Sequence, residues 1–171
     1  MALSNVDEHR LKIYNRTDFD MFLDKESDLG IRLKELSDNV DLECLDELMK
    51  RFVKLITTRT NIISRYSCEG HVGPKHPRHI KGGYLMLTGD VNDYLLATKW
   101  VELTQRELIY RGVKRNALCL EYRQNTFTEN QQSPVFWYPA FTIRFTGWSN
   151  REKQLEFYEI LYSQLLLSIK G

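Results

Sequence analysis

No stretch of about 18 consecutive apolar residues occurs in this chain, so no membrane-crossing helix is expected. The first ten residues, MALSNVDEHR, lack the basic-then-apolar pattern of a secretion signal. Only three cysteines are present, Cys44, Cys68 and Cys119, widely separated and odd in number. That excludes a disulfide framework and fits reduced thiols in the cytoplasm. Four prolines and nine glycines among 171 residues leave no linker rich enough to divide the chain, so a single domain over residues 1–171 is expected. Phosphate-loop and dinucleotide fingerprints are missing, as are G-x-S-x-G and H-E-x-x-H. Standard nucleotide folds and the commoner hydrolases are therefore not indicated, and no cofactor is expected.

What is present is 42% hydrophobic, 27% charged and 12% aromatic, the composition of a globular protein with a substantial core. The net charge of +1 hides an uneven distribution. Residues 1–50 carry 13 acidic and 7 basic side chains, whereas residues 51–123 carry 13 basic and 6 acidic. A basic centre of this kind points to an anionic partner.

The spacing of apolar residues predicts a first helix from Thr17, where Thr17-Asp18-Phe19-Asp20 resembles a capping box, with Gly30 bending or splitting it. A long second helix is expected from Asp41 through Tyr66, with Leu45, Leu48, Met49, Phe52, Ile56, Ile62, Ile63 and Tyr66 as its stripe. Its other face would then carry Lys50, Arg51, Lys54, Thr58, Asn61 and Arg65. Tyr84–Thr88 reads as a buried strand, and Val91–Leu103 suits either helix or strand. Thr104-Gln105-Arg106-Glu107 looks like the start of a short helix ending near Gly112. Further strands are expected at 117–122, 135–138 and 141–146, with 124–134 as a hairpin loop. Ser149-Asn150-Arg151-Glu152 should open a C-terminal helix whose wide apolar surface, within residues 155–169, is either buried or meets a second copy. The expected architecture is α+β, with N-terminal helices (one long) and a C-terminal helix on a mainly antiparallel sheet of four or five strands.

Chemistry concentrates in CEGHVGPKHPRHIKGGY, residues 68–84, within a His/Gly/Pro-rich loop spanning 67–83. Cys68, His71, His76 and His79 are all legitimate zinc ligands. Lys75, Arg78 and Lys81 are interleaved with them and favour an anion over a cation. His71, His76 or His79 would also suit general acid–base cleavage of RNA, although Glu69 is the only carboxylate at hand. A plain turn-rich connector is the remaining reading.

On the sheet, Phe141, Ile143 and Phe145 are expected to face the core, with Thr142, Arg144 and Thr146 outward. Arg123 and either Trp137 or the Phe136/Tyr138 pair would share the outer face, where aromatic and arginine side chains can stack bases. The leading expectation is a non-enzymatic accessory protein, of the kind a virus or phage carries, contacting nucleic acid. Lys50, Arg51, Lys54 and Arg65 would form a helix stripe, continued by Lys75, His76, Arg78, His79 and Lys81, with Arg111, Lys114 and Arg115 as a second basic knot. A metal-independent phosphodiesterase and a self-associating structural protein are the alternatives.

Overall fold

The computed structural model describes residues 21–70, 82–113, 118–145, 148 and 150–171. The expected α+β architecture holds, with helices packed on a four-stranded, wholly antiparallel sheet. In chain order the elements are α1 (Asp28–Asp38), a single 3-10 turn (Leu42–Cys44), α2 (Glu47–Arg59), β1 (Ile63–Cys68) and β2 (Gly83–Thr88). They continue with α3 (Val91–Tyr110), β3 (Leu118–Phe127), β4 (Phe136–Phe145) and α4 (Arg151–Lys170). The strands lie in the order β1-β2-β4-β3.

The proposed cap at Thr17 lies outside the described residues. Helix α1 starts later than expected: Ser27 is its N-cap and accepts from the Gly30 amide at 3.0 Å. Gly30 neither bends nor splits it. The preceding segment folds back over the first turn, and a Cβ on Gly30 would collide with the Asp24 carbonyl.

The expected long helix from Asp41 to Tyr66 is wrong in extent. Asp41 caps only the 3-10 turn, α2 stops at Arg59, and Ile63–Cys68 is a strand. Its stop is chemical. Thr57, Thr58 and Thr60 donate their hydroxyls back to carbonyls one turn earlier, at 2.6–2.9 Å, and Thr60 Oγ1 also accepts from the Ile62 amide. These β-branched residues turn the chain out of the helix. Ile62 and Ile63 continue the helical spacing only by coincidence, since they are buried from a turn and a strand.

One of the two longest helices, α3, occupies the stretch whose reading was open between helix and strand. It has 20 residues, and its start is a reciprocal capping box of Asp90 and Asp93. No helix begins at Thr104. That residue is buried within α3 and donates to the Trp100 carbonyl at 2.7 Å. Similarly, the two strands expected at 135–138 and 141–146 are one, β4, whose described residues run from Phe136 to Phe145. Pro139 is tolerated within it because the last β2 partner on β4 is Phe141, leaving Pro139 paired only toward β3. Strand β3 runs to Phe127, so residues 124–127 pair with β4 rather than forming loop. Helix α4 is capped by Asn150, whose side chain accepts from the Lys153 amide at 2.9 Å, and Ser149 lies outside the described residues.

Period-two alternation places Leu85, Leu87, Phe141, Ile143 and Phe145 on one sheet face, packed with Phe52, Trp100, Tyr158, Leu161 and Leu165 from α2, α3 and α4. On the opposite face a smaller cluster joins Ile63, Tyr138 and Ala140 to Leu23 and Leu33. Helix α1 and its approach thus cover one half of that face, and among the described residues no other element covers the other half. Most of the α4 surface expected to be buried or shared is spent internally: Phe157, Ile160, Leu161 and Leu165 are buried, while Leu155 and Leu167 remain exposed.

Candidate functional site

Among the described residues, the cations singled out from sequence do not form one stripe. Lys50, Arg51 and Lys54 lie on α2, on the helical side of the sheet. Lys50 pairs with Glu47 at 2.8 Å and Glu43 at 3.4 Å. Arg51 pairs with Glu159 at 2.9 Å and sits over the Tyr162 ring. Lys54 is exposed. Arg65 belongs to β1 and reaches the opposite side of the sheet, because the helix that was to carry it ends six residues earlier. Arg111 caps the end of α3 and pairs with Glu107 at 2.8 Å. Lys75, His76, Arg78, His79, Lys81, Lys114 and Arg115 lie outside the described residues.

The open half of the sheet brings together a different set. Pairing across the strands aligns Cys68, Tyr84, Arg144 and Cys119 in one transverse row, and Tyr66, Met86, Thr142 and Glu121 in the next. At about 4.8 Å per strand, each row is roughly 14 Å long. Arg123, 68% exposed, stands one pair further along the same face. Of the residues expected to look outward, Arg123 does so in the open and Arg144 is partly exposed, whereas Thr142 has the right parity but is buried. Tyr138 has the right parity but is buried beneath α1, and Thr146 lies outside the described residues.

Arg65 arrives here through a β-bulge. Ser64 pairs with Leu87 and Tyr66 with Met86, so Arg65 is an extra residue without its own partner. Its guanidinium lies 5.0 Å from the Tyr66 ring and also flanks Phe127 and Tyr138. Nε donates to Tyr138 Oη at 3.1 Å, and the same oxygen accepts from Asn125 Nδ2 at 3.0 Å. The bulged side chain is therefore held in place. Tyr66 beside it is half exposed.

Arg144 is oriented in a similar way. Nε donates to Glu121 at 2.8 Å, and the guanidinium lies 5.7 Å from the Tyr84 ring centre. The Arg144 bond holds the Glu121 carboxyl below its ordinary value, while burial pushes the Tyr84 hydroxyl up. Glu121 also meets Arg123 at 3.5 Å. Among the described residues, three arginines and one glutamate thus supply charge on this half of the sheet. Two tyrosines, diagonal neighbours roughly 7–8 Å apart by sheet geometry, supply its aromatic surface.

At the end of the sheet next to this face, the residues leading into the histidine-rich segment are tightly held. Glu69 Oε2 accepts from the Leu48 amide at 2.8 Å, capping α2 from outside, and the Glu69 amide donates to Asp46 at 2.9 Å. The Glu69 carbonyl accepts from Tyr158 Oη at 2.7 Å and Gln154 Nε2 at 2.9 Å. Gly70 follows at φ 82°, packed against Trp148 and Gly82. Burial raises the Cys68 thiol above its ordinary value, which disfavours the thiolate that nucleophilic chemistry needs. All three cysteines are unpaired with one another. Among the described residues, no group of three or more His, Cys, Asp or Glu is placed to hold a metal ion.

Sequence reasoning does not single out Tyr66, which is half exposed, or Tyr84, which is partly exposed, as residues of this face. The helical spacing places Tyr66 on a helix stripe, and the apolar run places Tyr84 in a buried strand. The alternation of Tyr84, Met86 and Thr88 against Leu85 and Leu87 was the available signal for Tyr84. Nothing local marks the bulge at Arg65. No protein-family model, curated protein or solved structure matches the chain.

Proposed function

We propose that this chain is a non-enzymatic binding protein for single-stranded nucleic acid, and that the open half of the sheet is its platform. Tyr66 and Tyr84 stack bases, and Arg65, Arg123 and Arg144 contact phosphates or stack on neighbouring bases. The observation that carries the reading is the pairing of each tyrosine with a positioned guanidinium on the half of the sheet face that no other described element covers. A base offers a π-face to an aromatic ring whatever its identity, and its phosphate offers the charge that an arginine fork matches. Four-stranded sheets used in this way accommodate two or three bases. Duplexes fit poorly, because their bases are stacked inward and a sheet face enters neither groove.

The α2 cations do not support this reading, since Lys50 and Arg51 are already paired with acids.

The test is fluorescence anisotropy of labelled single-stranded and duplex oligonucleotides across a salt series, with gel analysis for cleavage. Expected are binding to single strands that weakens steeply with salt, and no turnover. Tyr66→Ala and Tyr84→Ala should each weaken binding by about 5- to 150-fold, the range for loss of one stacked base. Absence of binding at low salt, or binding indifferent to Tyr66→Ala and Arg144→Ala, refutes the platform.

A further inference from the structure

Strand β3 ends the sheet, and its ten residues, LCLEYRQNTF, contain no proline, glycine, lysine or bulge. Such features normally keep a sheet edge from pairing with another chain. Among the described residues no strand lies beside this edge, and Gln105 Nε2, donating to the Leu118 carbonyl at 3.1 Å, touches only its first residue. We propose that the occupant of the edge is a second copy of this chain, joined β3 to β3 about a two-fold axis through Tyr122.

The charge pattern selects both the partner and the register. In a continuous antiparallel sheet, residues directly opposite must lie on the same face, so a two-fold axis between identical strands has to pass through a residue pair. Centred on Tyr122, Glu121 of each copy faces Arg123 of the other, and Cys119 faces Asn125. Centred on Leu120, Glu121 would face Cys119. Centred on Gln124, Glu121 would face Phe127. Only the Tyr122 register makes two reciprocal ion pairs. Arg123 is largely exposed, Tyr122 is 40% exposed with its Oη on the Met21 carbonyl, and Glu121, which already accepts from Arg144 at 2.8 Å, would share its carboxylate with Arg123 of the second copy. Since exposed ion pairs are weak, backbone ladder bonds and the paired Tyr122 rings supply the stability, and the charges supply the register.

A two-fold axis perpendicular to the sheet keeps both open faces on one side. The assembly has eight strands in one sheet, with Arg123 of both copies at the seam. This association stands independently of any nucleic-acid binding.

Sedimentation velocity on the full chain, from low micromolar to several hundred micromolar, tests it without ligand. Expected is a concentration-dependent dimer. Glu121→Arg places like charges opposite each other and should weaken it about tenfold. Adding Arg123→Glu to the same chain restores the opposite charges and should restore the dimer, which separates an interface effect from misfolding. For register, Tyr122→Cys with Cys44→Ser and Cys119→Ser should cross-link to itself on oxidation, whereas Gln124→Cys in the same background should not. A chain that stays monomeric throughout overturns the proposal. A dimer indifferent to Glu121→Arg, or one cross-linking equally at residue 124, overturns it as well.

Discussion

Tyr158 Oη donates to the Glu69 carbonyl at 2.7 Å, fastening the buried face of α4 to the residues that lead into the histidine-rich segment. Burial, with Glu69 nearby, pushes this hydroxyl well above the ordinary tyrosine range, so it stays protonated and donating. The same carbonyl also accepts from Gln154, so Tyr158→Phe would not leave it orphaned. The expected loss is about 1 kcal/mol, the net worth of one hydrogen bond, measured by urea unfolding.

Two glycines with positive φ should respond differently to alanine. Gly70 has φ 82°, and an added Cβ would lie 2.8 Å from the Trp148 ring and 2.9 Å from Gly82. Gly112 has φ 77° but nothing within 4 Å of its added Cβ. Gly112→Ala should cost only the left-handed penalty, about 1–2 kcal/mol. Gly70→Ala should cost clearly more, because the ring and the neighbouring backbone must also move. Paired thermal melts of the two variants decide it.

Glu129 ties the β3–β4 loop to α1 through Arg32, at 2.5 Å. The Arg32 bond lowers the Glu129 carboxyl below its ordinary value of 4.5. A depressed carboxylate adds stability above its unfolded pKa and loses it as pH falls through the folded one. The stability gap between wild type and Glu129→Gln should therefore be present at neutral pH and shrink below the ordinary carboxylate range. Denaturation at a series of pH values would show a constant gap if the pair is inert.

At the platform, stacking and simple hydrophobicity can be told apart. Tyr66→Phe keeps the ring beside the Arg65 guanidinium and should retain most single-strand affinity. Tyr66→Leu keeps apolar bulk without a π-face and should lose about as much as alanine. Equal affinity of the Phe and Leu variants would show that Tyr66 stacks no base.

Local patterns were readable where one face of an element is buried and nothing interrupts it. The alternation from Phe141 to Phe145 and the run Tyr84–Thr88 correctly marked sheet, and the C-terminal helix was located to within a residue of its cap. The helix assigned through Tyr66 failed because Ile56, Ile62 and Ile63 keep helical spacing across a break made by threonine hydroxyls. The platform was only half legible. Strand parity exposes Arg144 and Arg123, but which half of the sheet stays uncovered depends on where α1 docks, and Leu23 and Leu33 settle that through contacts distant in sequence.

The ladder between β1 and β2 has one surplus residue. Were Arg65 excised, Ile63, Tyr66 and Cys68 would still look to the same side and every other pair would keep its partner. Sheet formation alone has no need of that position. Its occupant is thus dispensable to the pairing, which makes a chain shortened by this one residue a more telling comparison than any replacement of it.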